Sequence, residues 1–363
     1  MRPLQNAEKE SITRELLLDP AKPEAFPAYF RLYDSLFCPS DKQSTIIQMD
    51  YPVFNTHADI VKCAHRLRSD PRLTRQGLAS ALSLDSTISE NDRKTAIQSV
   101  VRVSLMLDCF KGVYSRNFQE EVYQPVQWKE TESLVSYVER AIPRCDIQHG
   151  GFQVHKHKRA LKAWKLERRY GLQLRPTDNI MEHLLYNPGT QELQIFHHTA
   201  YLKAHLKRSR ELPLEEGASQ SLKLGTLPPQ LLLETLHSIH FILFPVSDAS
   251  GKSMRCLKRL IRKHNFDPNA EWFEGAIRED IPTTFRYQYW NSRIEQLYMV
   301  VKNPPPANRL ISWIERHTSE RNALTVAIVG LFLSAFFGLL TCIIGAAQLA
   351  IAVLQWKQPR DPS

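Results

Sequence analysis

The stretch Ala323–Trp356, ALTVAIVGLFLSAFFGLLTCIIGAAQLAIAVLQW, decides the fold reading, because its 34 residues include no charged side chain. As one α-helix it extends ~51 Å at ~1.5 Å per residue, while the ~30 Å hydrocarbon core of a bilayer needs ~20 residues. One tilted span with a turn or two left over at an interface fits this length. A helical hairpin needs roughly 40 residues plus a turn, and a helix buried in a soluble core is normally shorter than this run. The stretch is therefore read as a single C-terminal transmembrane helix. Trp356 and Lys357 supply the aromatic and basic edge expected at a membrane boundary.

Small residues recur at every fourth position of the run: Gly330, Ser334, Gly338, Cys342, Ala346 and Ala350. Bulk such as Phe332, Phe336 and Leu340 lies between them. A small-xxx-small pattern lets two helix backbones approach closely, so the stripe is a candidate packing surface for a homo-oligomer. Membrane helices are also rich in Gly and Ala with no partner, which is the plain alternative.

The N-terminus, MRPLQNAEKESITRELLLDP, lacks an apolar stretch long enough for a signal peptide. The body is accordingly expected to stay cytosolic, with the last helix inserted after synthesis and the tail QPRDPS facing a lumen. Six scattered cysteines form no C-x-x-C pair, and no Asn-x-Ser/Thr sequon occurs, both in keeping with a reducing compartment. Arg316 and Arg321 precede the span and Lys357 and Arg360 come after it, so flanking charge does not set the orientation.

The net charge of +9 is uneven. Residues 1–150 carry −1 and residues 151–322 carry +9, with +1 in the last seven residues. Two blocks concentrate the basic residues. The first, His155–Pro176, reads as an amphipathic basic helix with Lys158, Lys162, Lys165 and Arg169 near one face. The second carries Lys252, Arg255, Lys258, Arg259, Arg262 and Lys263, with Leu257, Leu260 and Ile261 as its apolar side. An anionic cytosolic leaflet attracts such segments by ~1 kcal/mol per residue near its surface, and a solvated basic face is the bland alternative.

The rest reads as mainly α. Residues 1–145 form an N-terminal helical region, with helices over 4–20, His57–Arg68, Thr74–Leu82, Asp92–Phe110 and Glu130–Ala141. A basic helix and β-hairpin region occupies 146–210, with the hairpin from Glu182 to His198 turning at Asn187-Pro188-Gly189-Thr190. Residues 211–227 read as a linker, 228–302 as a helical membrane-proximal region, and 303–322 as a Pro-rich joint with an interfacial helix. The transmembrane segment occupies 323–356 and a short tail 357–363.

Chemical signatures are weak. FILFPVSDASGKS ends like a phosphate-binding loop, but G-x-x-x-x-G-K-S requires glycine where Val246 stands. Cys145, His149, His155 and His157 have metal-ligand chemistry at a spacing that fits no zinc module. Glu234 and His237 form one E-x-x-H, and a carboxylate-bridged di-iron bundle needs a second. His197 and His198 at the hairpin exit could serve acid–base chemistry. No nucleophile elbow or protease cysteine context occurs, and no cofactor or metal is expected. Three short helices over 57–110 could form a DNA-reading unit, but the third is apolar where a reading helix is basic, so nucleic acid is not expected as a partner.

EHLLYNPGTQELQIFHHTAYLKAHL, LPPQLLLETLHSIHFILFP with NFDPN, and HADIVKCAHRLRSDPRLTRQGLASAL together resemble blocks of filamentous-fungal proteins with a helical body and a C-terminal membrane span. The resemblance implies a fungal source and a link to specialised metabolism or stress, and carries no activity or functional residue. The expected protein is a tail-anchored adaptor or scaffold, single-pass, with an anionic bilayer as its first partner. The alternative is a membrane-bound enzyme or an accessory component of a specialised-metabolism pathway.

Overall fold

The computed structural model describes residues 1–20, 22–38, 54–81, 90–109, 126–145, 153–273, 278, 285–303 and 323–357. It divides the chain into two units, Met1–Asn303 and Pro304–Ser363. The Pro-rich joint and interfacial helix expected over 303–322 lie outside the described residues, apart from Asn303 at their edge.

The first unit opens with helices whose starts are legible as caps. α1 (Asn6–Glu15) and α3 (His57–Ser69) each begin with a capping box, Gln5 with Glu8 and Thr56 with Asp59. α2 (Pro27–Phe37) takes proline at its first turn, where the missing N–H costs nothing. At the start of α4 (Arg75–Ala81) the Thr74 hydroxyl accepts the Gly77 N–H at 3.0 Å. Ser133 caps α6 (Leu134–Ala141) in the same way. α5 (Glu90–Leu105) packs against α2, α3 and α4. Every residue from Ala96 to Val101 in α5 is buried, so this stretch of the helix belongs to the core.

The first basic block departs from the single amphipathic helix that its spacing predicts. A short turn of helix, α7 (Val154–His157), gives way to a break, and α8 begins at Ala163 and ends at Tyr170. Leu161 and Ala163 are both fully buried, and keeping both inside forces Lys162 into an extended conformation at the cap. Gly171 then stops α8 at φ +71°, a left-handed position that suits glycine, and the Leu172 N–H reaches back to the Leu166 carbonyl.

The end of the same block is a strand, which its basic character conceals. β1 (Gln173–Thr177) runs parallel to β3 (Glu192–Phe196), with Leu174 opposite Leu193. β2 (Tyr186–Asn187) pairs antiparallel with β3, giving the order β1-β3-β2. The β2–β3 pair is the expected hairpin, and the Asn187 side chain accepts the Gly189 N–H at its turn.

α9 (Thr199–Arg208) and α11 (Pro229–His237) form the centre of the unit and pack on each other. α11 continues through a wider π-type turn, Ser238–Leu243. The 211–227 stretch is not a free linker: it contains α10 (Ala218–Lys223), packed on α3 and α6, with Leu214, Leu222 and Leu227 buried. Glu215, Glu216 and two glycines mask that apolar spacing in the sequence. α12 (Lys252–His264) buries Ser253, Cys256, Leu257 and Leu260, and α13 (Asn291–Lys302) buries Ile294 and Leu297. One apolar cluster runs from Ile12 to Leu297, so the regions before Asn303 share a core.

In the second unit a single helix spans Ala323–Lys357. Within it Gly330–Leu354 is long and apolar enough to cross a membrane, and none of its side chains is buried. The protein is thus mainly α, with one small sheet and one such C-terminal helix among the described residues.

Candidate functional site

The two basic blocks, far apart in the chain, meet in the fold. α8 and α12 pack side by side, joined by Arg259, whose guanidinium contacts both oxygens of Glu167. Ion pairs absorb some of the expected surface charge. Lys162 Nζ lies 3.0 Å from Asp248 with its side chain mostly covered, and Lys258 lies 3.8 Å from Glu271. Arg259 therefore works as an inter-helix tie. Lys158, Lys165, Arg169, Arg255 and Arg262 have no carboxylate partner among the described residues. Arg262 and Arg255 donate to backbone carbonyls of their own segment, at Lys258 and Ser250. Lys158 closes α7 and is not on the helix that carries Lys165 and Arg169.

At the centre of this seam stands Trp164, which in the sequence is only an apolar neighbour of the basic residues. The Lys252 ammonium lies 4.8 Å from its ring centroid, Lys165 5.7 Å and the Arg169 guanidinium 5.8 Å. The indole N–H of Trp164 is buried and has no acceptor among the described residues. Burial, then the charges of Arg169 and Lys162, draw the Lys165 ammonium below its ordinary pKa. A tryptophan inside a basic run is the available signal; its second cation source, Lys252, lies too far along the chain to be read locally.

The phosphate-loop resemblance ends at Asp248. Its carboxylate accepts the Ser253 N–H and hydroxyl at the start of α12, and also the Ser250 hydroxyl and Lys162 ammonium. These donors outweigh burial and hold the carboxyl far below the usual carboxylate range. A side-chain carboxylate thus takes the place that a phosphate holds in a nucleotide-binding loop.

His197 and His198 converge on one carboxylate. Each Nε2 faces Asp178 Oδ1, at 3.1 and 2.6 Å, and the two rings stack at 4.2 Å. Burial raises the Asp178 carboxyl, but the two imidazole donors prevail and hold it well below its ordinary value. His197 Nδ1 accepts the Asp267 backbone N–H at 3.1 Å. Its proton must then sit on Nε2, where it serves Asp178 and leaves no lone pair for a metal ion. Asp267 in turn accepts from Thr199 and from the Ala200 N–H, capping α9, and its other oxygen accepts the Asn269 N–H. The arrangement ties the sheet exit, α9 and the turn after α12 together. His198 Nδ1 is buried without a partner among the described residues.

Glu234 is also committed. It accepts backbone N–H groups from Gln288, Tyr289 and Trp290 and the Gln230 amide, while burial raises its carboxyl to about 7. His237 bonds the Tyr287 hydroxyl at 2.6 Å and stacks on Phe241, and His240 is buried near Phe273. The E-x-x-H is a packing element. Of the Cys145–His157 array, His149 lies outside the described residues, and the His157 ring packs 4.2 Å from that of Tyr298.

A cleft of about 300 Å³ opens between α6 and α11, lined by residues including Val138, Arg144, Ala218, Leu231 and Tyr289, and neither His197 nor His198 is among its walls. In the terminal helix a Cβ added at Gly330 or Gly338 would meet no atom of the described residues within 4 Å. Compared with known protein families, curated proteins and solved structures, the chain finds no match.

Proposed function

We propose that the chain is a tail-anchored, single-pass membrane protein whose cytosolic body binds partners at an anionic membrane surface, as an adaptor or scaffold. The observation that carries the reading is a pairing of features. One is a long apolar helix whose Gly330–Leu354 stretch buries no side chain; the other is a body in which two distant basic blocks fold into one seam. An isolated basic helix is often a solvated face. Cations gathered around one indole from two helices keep their charge where an anion can meet it.

The enzyme reading would draw on Asp178 and His198, an acid–imidazole pair of the kind used for general-base chemistry. The nitrogen that would act, His198 Nδ1, is buried. A substrate does not reach it, which favours binding over catalysis. The resemblance to fungal membrane-anchored proteins fits the anchored reading and adds no activity to it.

The full chain, expressed in cells, should stay in the membrane pellet on alkaline extraction, with the body open to protease added to sealed, cytosol-outward vesicles. Recovery in the supernatant overturns the anchor, and protection of the body overturns the orientation.

A further inference from the structure

We infer that the α8–α12 seam around Trp164 is a binding site for a multiply phosphorylated anion, such as an inositol phosphate, free or as a lipid headgroup. The inference deepens the proposed membrane-surface reading, on which it rests, and names the chemistry of the group bound.

Three observations carry it. First, Lys165, Arg169 and Lys252 all lie within 6 Å of one ring centroid, so no two are more than about 12 Å apart. Phosphates on one small ring span distances of that order, whereas a single carboxylate meets only one such cation. Second, the acids of the neighbourhood are already engaged: Glu167 holds Arg259 and Asp248 holds Lys162 and the start of α12. The three cations around the indole therefore keep uncompensated charge. Third, Arg169 and Lys252 are exposed, so an anion reaches them without moving the fold. Lys165 is steadied by its bond to the Arg159 carbonyl, which fixes one cation in advance of binding.

Like charges held this close repel, and the lowered pKa of Lys165 reflects that in part. A polyanion removes the repulsion. Arg169 offers a planar fork for a phosphate, while the two lysines act as point charges.

The test uses the full chain in detergent micelles, titrated with inositol trisphosphate by calorimetry, alongside Arg169→Gln, Lys252→Gln and a remote control, Lys62→Gln. Saturable binding that weakens at least tenfold in each seam variant, and not in the control, is expected. Absence of saturable binding overturns the site, as does equal loss in all three variants, which marks diffuse charge. Melting curves of the variants verify that each is folded. A second arm places the chain in nanodiscs with and without phosphatidylinositol bisphosphate and measures competition by free trisphosphate. Competition only when the lipid is present assigns the site to the headgroup; identical affinity in both discs assigns it to the soluble anion. Alkaline extraction of the same variants reports the anchor separately, so loss of anion binding with retention in membranes rejects the site and leaves the anchored reading standing.

Discussion

Glu234 accepts the backbone N–H of Trp290 at 3.0 Å, and through it α11 holds the entry to α13. The same carboxylate takes the N–H groups of Gln288 and Tyr289, which sit just ahead of that helix. Glu234→Ala leaves these donors and the Gln230 amide without an acceptor in a buried site. A loss of about 4 kcal/mol is expected, because unpaired buried donors keep their full desolvation cost. Glu234→Gln should cost about 2 kcal/mol, since its amide nitrogen meets donors. Denaturant midpoints of the full chain in detergent measure both, and a change under about 0.5 kcal/mol for the alanine variant would remove Glu234 from this role.

Four histidines fix how stability should respond to acid. Burial lowers His183 and His205 to about 3, and His237 and His240 to about 4. Each is neutral when folded and takes a proton near pH ~6.5 when unfolded. Their contribution is thus intact above pH ~6.5 and is lost as pH falls toward the folded values of about 4 and about 3. The unfolded chain binds more protons throughout that window, worth about 1.4 kcal/mol per pH unit per histidine at most. Glu234 opposes this with one proton, because its carboxyl is raised to about 7 and is protonated first in the folded state. Denaturation at pH ~7.5, ~6 and ~5 should show a steep decline below pH ~6.5, and a flat profile contradicts the burial of these rings.

His205 isolates one of the four. Both its ring nitrogens are buried without partners among the described residues, and it stacks on Tyr201 at 3.9 Å between centroids. His205→Phe keeps a ring against Tyr201 and removes the titrating group. The acid slope should fall by about one proton and stability at pH ~5 should rise by about 1–2 kcal/mol. An unaltered slope would place His205 in a solvated setting.

Much of the helical frame is written in local sequence. Thr56 with Asp59, Ser133, Thr74 and Pro27 mark helix starts, and each is used as such. The hairpin at Asn187–Thr190 is equally local. β1 is not legible, because Gln173–Thr177 has no β-branched residue before Thr177 and includes Pro176, tolerable there because β1 lies at the sheet's edge. α10 is hidden by the polar composition around its leucines. The seam at Trp164 is half legible: both basic blocks stand out, but their apposition depends on Arg259 meeting Glu167 across the chain. Asp178 gives no signal, since nothing in sequence shows which carboxylate two adjacent histidines share.

The Asp178 cluster predicts a response to metal. With the His197 proton held on Nε2 by the Asp267 N–H, added zinc should leave the melting temperature of the full chain unchanged. Asp178→Ala should lower stability by about 2–3 kcal/mol, because two imidazole donors lose their acceptor. A zinc-dependent rise in melting temperature that Asp178→Ala abolishes would falsify the hydrogen-bonded assignment.

The small-residue stripe makes a graded prediction under the anchored reading. Steps of four residues turn an α-helix by about 40° beyond a full circle. Gly330, Ser334 and Gly338 therefore sweep only about 80°, whereas Gly330 and Ala350 diverge by about 200°. A straight partner helix can track the stripe over three or four of its members and no further, as in a right-handed crossing. Gly338, flanked by Ser334 and Cys342, is the point where backbones come closest in such a crossing. Gly338→Leu should weaken self-association at least tenfold in detergent or bilayers, and Ala350→Leu should have a much smaller effect. Energy-transfer or crosslinking measurements on the full chain separate the two, and an oligomer insensitive to Gly338→Leu removes the stripe from the interface.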